Sequence, residues 1–498
     1  MSHGIGWDIR GLQPVLVVFL SFGLTPCATL GCRDSTASPT GFPSVNEPSD
    51  TDAGGNNSAI ASGGPTSPGG ATIDAGSTSG RSSTPATSSG SIPEAAAPDQ
   101  PPRGGGNDAA GATSDGTADD GGAPAPADPA QALGNCTAPA GASWSDAQAA
   151  YAKWKSDLLT SDGARGFLRV LRPNSPSAID TSNSEGTAYG MILAVAMDDQ
   201  PTFDALWGYE QLFLDGNGLM NWQIDPTGSG PTAGGTGAAT DADEDMAFAL
   251  LWADHRWGGQ GSLASTYHDI AITQINAIWQ FEVDSSRAYA LAPGDQFGGA
   301  AVINISYFAP AYYRLFGQAT GQAANWNEVV ESSYTILAAS LNAANGNATN
   351  GLVPAWSTPA GVPQAPNATL PTNYQLDSCR TPFRIGQDLC WNAEPRAKSY
   401  LAKISAFYQQ IGASNIVDGY ELNGTPDPTD PTVHQSAAFV GPAGVGAMSD
   451  ATYSVLRDAA YKGVATLTEL DGTTYYTESW TALSLIMMNG GYWNPAAP

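Results

Sequence analysis

Three stretches of this 498-residue chain set carboxyl groups just ahead of an apolar run. ATDADEDMAFALLWADHRWG (239–258) holds Asp241, Asp243, Glu244 and Asp245 within five positions, followed by Met246, Ala249, Leu250, Ala253 and Trp257 at helical spacing. SNSEGTAYGMILAVAM (182–197) sets Glu185 beside Gly186 ahead of a second apolar helix. NYQLDSCRTPFRIGQDLCWN (373–392) sets Asp377 near Arg380, Arg384 and Pro382, the last suited to a first helical turn. Each stretch has an ordinary structural reading. Acids in a first turn complement the helix dipole, Thr240 with Asp243 fits a capping pattern, and Ser182 with Glu185 fits a capping box. Asp377 could equally be a surface acid paired with its two arginines. Those readings do not require four acids in one cluster, or a helix-weakening glycine directly after an acid, where close approach of another group is often the reason. Carboxyls at the starts of several helices would converge at one end of a barrel of helix pairs. Two such groups, one protonated and one ionised, are the equipment for hydrolysing a glycosidic bond.

The elements that must hold these groups are helical. Apolar residues recur at helical spacing near 144–160, 185–198, 201–214, 243–257, 264–283, 309–317, 325–343, 383–391, 395–412, 434–440, 449–461 and 474–488. Between them lie long Gly- and Pro-rich loops such as QIDPTGSGPTAGGTGAA and PAWSTPAGVPQAPNATLPTN, of a length that is often functional in a compact domain. Strand alternation is scarce. The pattern predicts one all-α domain of paired helices over 135–498, with any strands short.

What precedes that domain reads differently. Residues 1–32 carry Arg10, an apolar run from Leu12 to Leu24 and small residues before Cys32, the pattern of an export signal. The run is shorter than the roughly 20 residues that a bilayer-spanning helix needs. TLGC resembles a lipoprotein box, though Thr29 stands where a larger aliphatic is usual; a lipid anchor at Cys32 on the cell surface is expected, with ordinary cleavage and secretion as the alternative. Residues 33–134 are Gly, Ser, Thr, Ala, Pro and Asp with Phe42 as the single aromatic, too little apolar surface to offset the entropy of ordering, and a hydrated tether is expected. The tether holds 12 acids and 3 basic residues, leaving −19 of the formal net charge of −28 to the domain, because the leader is neutral. Such acidity argues against nucleic acid as a partner and fits an uncharged one.

Cys136, Cys379 and Cys390 remain in the domain and allow one disulfide, whose pairing the sequence leaves open. On one straight helix Cys379 and Cys390 would stand about 16 Å apart, too far to bridge. His3, His255, His268 and His434 have no metal-ligand spacing, and neither a nucleophile elbow with a triad nor a phosphate-cradling loop is present, so no cofactor is expected.

Over about 140–495 the chain resembles glycoside hydrolase family 8. The signature is carried by Ala239, Thr240, Asp241, Ala242, Asp243, Met246, Ala247, Ala249, Leu250, Leu251, Ala253 and Trp257; SEGTAYGM is similar to the family's acid motif, NISYFAPAYYRLF (304–316) to its tyrosine-bearing helix start, and DSCRTPFRI to its base motif. The resemblance implies a six-hairpin α/α barrel of inner and outer helices. It implies Glu185 as general acid, Asp377 as general base, and Asp241 between them holding the sugar and helping to place the water. Tyr307 is implied near that water, and Trp222 and Phe297 as sugar platforms, Phe297 standing where a second Trp is usual and so offering a smaller face. Leu376 likewise replaces an aromatic usual before the base.

For that chemistry Glu185 must stay protonated near neutral pH and Asp377 ionised, a form that Arg380 favours. Inversion requires a carboxyl separation of roughly 6.5–9.5 Å, and about 5 Å would mean retention. Trp154, Trp207 and Trp480 are expected in the core. The implied substrate is a polysaccharide, with β-1,4-glucan ahead of mixed-linkage glucan or xylan and then chitosan. A monomer is expected. A barrel that binds glycan without cleaving it is the rival reading, against which the presence of all three acids stands.

Overall fold

The computed structural model describes residues 133–173, 178–367, 370–427, 435–467 and 474–496. The leader, Cys32, the tether up to residue 132 and His434 lie outside the described residues.

Twelve helices of ten residues or more run through the described part: α1 Trp144–Leu158, α2 Ser184–Ala196, α3 Gln200–Glu210, α4 Thr240–Trp257, α5 Tyr267–Phe281, α6 Pro310–Ala319, α7 Ala323–Ser340, α8 Thr381–Asn392, α9 Pro395–Ile411, α10 Ala437–Ala447, α11 Ser454–Leu467 and α12 Tyr475–Met488. Packing runs from α2 to α4, α6, α8, α10, α12 and back to α2, which closes a ring of six inner helices. The odd-numbered helices pack outside it. This is the six-hairpin α/α barrel, and the sequence explains its two layers. Every residue of α2 and of α10 is buried, as expected of helices apolar on all sides. By contrast, α5 buries only Tyr267, Ala271, Gln274, Ile275 and Ile278, one stripe at helical spacing. Each buried Leu, Ile or Met on α12, such as Leu483, Leu485, Ile486 and Met487, contributes about 1.5–3 kcal/mol.

Inner helices approach closely where side chains are small. A Cβ on Gly441 of α10 would stand 2.2 Å from the Ser484 hydroxyl of α12. This explains why α10 extends well beyond the helical pattern near 434–440. Its run of glycines and Pro442 has low intrinsic propensity, and burial between neighbours overrides that preference.

Short ladders do the remaining positioning. Ser182–Asn183 pairs antiparallel with Gln223–Ile224, and Ile303–Asn304 pairs with Trp356–Ser357. The first sets Trp222 beside the start of α2, and the second brings Trp356 next to the segment carrying Tyr307. Cys136 and Cys390 form the disulfide, with Cα atoms 5.0 Å apart, tying the segment before α1 to the end of α8. Cys379 is a buried free thiol.

The capping patterns are not the ones the acids offered. Asn183, not Ser182, caps α2 by accepting from the Gly186 N–H, and a Cβ on Gly186 would crowd that acceptor at 2.9 Å. The cap position of α4 is Ala239, and the Thr240 hydroxyl instead donates to the Ala292 carbonyl.

The α4 acids divide by helical phase. Asp241, Glu244 and Asp245 share one face, toward α8, where Arg384 donates to Glu244 at 2.9 Å and to both oxygens of Asp245 at 3.0 and 2.9 Å. Asp243 points the other way, toward Gln274 of α5. Burial, with Glu282 and Glu210 nearby, holds its carboxyl well above the ordinary range. Burial likewise raises Glu282, and pushes Glu210 up to about 8 and Asp245 to about 6.

In the unfolded chain these acids ionise near their ordinary values of about 4. Between about pH 4.5 and 8 the unfolded state therefore releases protons that the barrel retains, and stability falls as pH rises through that window. Asp225, Asp284 and Glu394, each held near 2 by hydrogen bonds, act in the opposite sense only below about pH 4. The urea midpoint of the domain is expected to be higher at pH 5 than at pH 8; an equal or reversed order would contradict this distribution of buried protons.

Candidate active site

Glu185 is the second residue of α2, Asp241 the second of α4, and Asp377 belongs to the helical turn Leu376–Cys379 just before α8. All three are buried, and all three touch one guanidinium. One terminal nitrogen of Arg380 donates to Glu185 Oε1 and, at 2.6 Å, to Asp241 Oδ2. Its other terminal nitrogen reaches Asp377 Oδ1 at 3.3 Å. The Nε of Arg380 donates to the Ser306 hydroxyl at 3.1 Å, and its plane lies over the Tyr307 ring, 5.1 Å from the centroid. Glu185, Asp241, Asp377, Arg380 and Tyr307 thus form one cluster. Glu185 and Asp377 are held by the two terminal nitrogens of the same guanidinium.

Each carboxyl has its own setting. Tyr189, one turn along α2, donates to Glu185 Oε1 at 2.8 Å, and Tyr475 of α12 donates to Oε2 at 2.7 Å. Burial pushes the Glu185 carboxyl up to about 7, and the Asp241 charge adds to this; Arg380 and the two tyrosines restrain it. Asp377 Oδ2 accepts from Gln375 Nε2 at 2.9 Å and from the indole of Trp356 at 3.2 Å. Burial raises its carboxyl too. Arg380 does favour the ionised form, as do Gln375 and Trp356, but desolvation outweighs them. On Asp241, Oδ2 takes the arginine while Oδ1 is buried with no hydrogen-bond partner. That oxygen is an acceptor with its hydrogen-bonding capacity unused.

The aromatic residues sit beside this cluster. Trp222 and Phe297 pack together on Ala239, two residues before Asp241. The Trp222 indole donates to the Gly234 carbonyl at 2.8 Å, and its own carbonyl accepts from Ser184 N–H at 2.9 Å, next to Glu185. Trp154, Trp207 and Trp480 are in the core. Among the described residues, no group of three or more His, Cys, Asp or Glu could hold a metal ion.

Five contacting residues escaped the sequence reading. Tyr189 lies one helical turn from Glu185 and Gln375 two residues from Asp377, so both could have been flagged by spacing. Ser306 adjoins Tyr307. Trp356 and Tyr475 carried no local signal; a two-residue ladder delivers one, and the closing of the barrel the other.

Comparison with known proteins agrees with this geometry. The family model for glycosyl hydrolases family 8 matches residues 129–490. Endoglucanase A of Acetivibrio thermocellus is 36% identical over 349 residues, covering 70% of each chain. Endoglucanase 2 of Ruminiclostridium josui is 38% identical over 344 residues, covering 69% of this chain and 70% of that one. Among solved structures, the apo β-1,3-1,4-glucanase of Paenibacillus sp. X4 superposes with a TM-score of 0.64 at 28% identity, covering 72% of this chain and 96% of that one. A ring of six inner helices, three buried carboxyls at or just before the starts of three of them, and a family match over residues 129–490 lead to one conclusion: this chain is a glycoside hydrolase belonging to glycosyl hydrolases family 8.

Proposed function

We propose that the protein is an exported endo-β-1,4-glucanase that cleaves with inversion at the anomeric carbon. The observation that carries this reading is the cluster in which Glu185, Asp241 and Asp377 meet the Arg380 guanidinium. The relatives named endoglucanase, at 36–38% identity, support the choice of glucan. The Cys136–Cys390 disulfide supports export, since such bonds persist in oxidising compartments.

The chemistry needs one carboxyl to give a proton and another to take one. Glu185, protonated up to about pH 7, gives its proton to the leaving glycosidic oxygen as the bond to the anomeric carbon breaks. A water attacks that carbon from the opposite face, and Asp377 takes the proton it releases. Asp241 Oδ1 accepts a sugar hydroxyl and holds the ring between the two. Each turnover moves one proton from Glu185 to Asp377 by way of substrate and product. The summed charge of the cluster is the same before and after, so Arg380 can stay fixed throughout, which is the electrostatic preorganisation that lowers a barrier. Tyr307 supports the guanidinium and faces the water; Trp222 and Phe297 carry the sugar chain.

A second reading is mixed-linkage glucanase activity. The 28% identical Paenibacillus structure and the 30% identical β-glucanase of Niallia circulans favour it. The smaller Phe297 fits a chain held less firmly.

The leader, Cys32 and residues 33–134 are proposed to anchor the enzyme by lipid at the cell surface on a long tether. A Cys32→Ser chain is expected to leave the membrane fraction; unchanged fractionation would count against the anchor.

Reducing-sugar release from carboxymethyl cellulose tests the main assignment. Glu185→Gln and Asp377→Asn are each expected to lower kcat by about 10²–10⁴-fold with the fold intact. Rates equal to wild type would defeat the roles given to these acids, and absence of wild-type activity on any β-glucan would favour a glycan-binding barrel. Proton NMR of the first product should show the α-anomer, and a β-anomer would mean retention.

A further inference from the structure

Outside the reacting cluster, one half-buried carboxyl joins segments that are distant in sequence and has no role in the mechanism above. Asp295 Oδ1 accepts from the Ala238 N–H at 2.8 Å, and Oδ2 accepts from Asn217 Nδ2 at 2.6 Å. Each of these partners lies in a segment that leads to Trp222 or to Asp241. Asn217 sits in a turn that Asp215 organises by accepting from Asn217 N–H at 2.7 Å and Leu219 N–H at 3.3 Å, and that turn leads into Trp222. Trp222 N–H donates in turn to Gly237 O, and Gly237 N–H to Asn221 Oδ1, so the Trp222 strand is bound to the segment that ends at Ala238 and Ala239. Asp295 itself lies on the loop bearing Phe297. That loop is pressed against Ala238 so closely that a Cβ on Gly294 would stand 2.2 Å from the Ala238 carbonyl. It also accepts the first N–H of α4 through Pro293 O at 3.1 Å from Thr240, next to Asp241.

We propose that Asp295 is a positioning residue for the aromatic pair beside the reacting cluster: its carboxyl clamps together the loops presenting Trp222 and Phe297, and so governs how tightly sugar binds while leaving bond cleavage to the Arg380 cluster. The inference rests on the glucanase reading, in which those two rings contact substrate.

The charges around Asp295 give the clamp a pH dependence. Asp215 faces it from the 213–219 loop, Asp243 from α4 and Glu282 from the end of α5, all acidic. Among the described residues it makes no ion pair with a lysine or arginine. Burial, and the hydrogen bond shared with Asp215, push its carboxyl up to about 6. Below that pH a proton joins the two acids; above it two like charges oppose each other across the loops, and the clamp loosens.

Steady-state hydrolysis of cellopentaose by the full chain tests this. Asp295→Ala is expected to raise KM by about tenfold with kcat within about twofold, because binding shared by ground and transition states affects KM alone. Asp295→Asn keeps an acceptor for Ala238 and an amide that can pair with Asn217. It is expected to restore KM to within about twofold and to lack the rise in KM above pH 6 that is expected of wild type. An unchanged KM in Asp295→Ala, a loss confined to kcat, or an Asp295→Asn profile with the wild-type rise would overturn the proposal. If Asp295→Ala does not fold, the pH profile of Asp295→Asn decides alone. If wild type cleaves no β-glucan, the functional reading fails, and calorimetric Kd values for cellopentaose decide this inference by the same comparison.

Discussion

One guanidinium is shared by three buried carboxyls, and the rest of the site depends on that arrangement. Removing a carboxylate from water costs several kcal/mol, and Arg380 offsets part of this for three at once, one terminal nitrogen serving Glu185 and Asp241 and the other Asp377. One cation against three acids leaves a deficit, and burial prevails at both reacting groups: the Glu185 carboxyl rises to about 7 and the Asp377 carboxyl is raised too, although Arg380 and two further donors serve the charged form of each. Arg380 acts in the same sense on both, and burial is what lifts each above the ordinary carboxylate range.

The barrel is the means of delivery. No single helix can present three acids around one arginine from three directions, whereas a closed ring can, with Glu185 on α2, Asp241 on α4 and Asp377 and Arg380 at the head of α8. One turn deeper along α8, Arg384 repeats the motif with Glu244 and Asp245, one turn deeper along α4. The two levels differ in what they leave open. Both oxygens of Asp245 and of Glu244 are engaged, by Arg384 and Tyr313, whereas Asp241 Oδ1 has no partner. The lower pair therefore fastens α4 to α8 and fixes the height at which the upper cluster sits.

Much of this was legible from residue types. The twelve helices follow from apolar periodicity, and Glu185, Asp241 and Asp377 stand out because acids before apolar runs need a reason. The four-acid cluster was only partly readable: helical phase separates Asp243 from the other three, yet nothing local says which face meets an arginine 139 or 140 residues away. Trp356 and Tyr475 were invisible for the same reason, their places being set by a two-residue ladder and by the packing of α12 against α2. The disulfide could not be chosen from spacing, since Cys136 meets Cys390 only once the barrel has closed. Short-range order is written in the chain; the meeting of distant polar groups is a property of the closed ring.

The ionisation of Glu185 itself tests the central claim most directly. Carbon-13 NMR of the side-chain carboxyls, with the Glu185 signal assigned by its loss in Glu185→Gln, would follow that one group through pH. A midpoint near 7 is predicted for a buried acid only partly compensated by a shared arginine. A midpoint at or below the ordinary 4.5 would mean that Arg380 fully serves Glu185 and that the proton required for catalysis is held elsewhere.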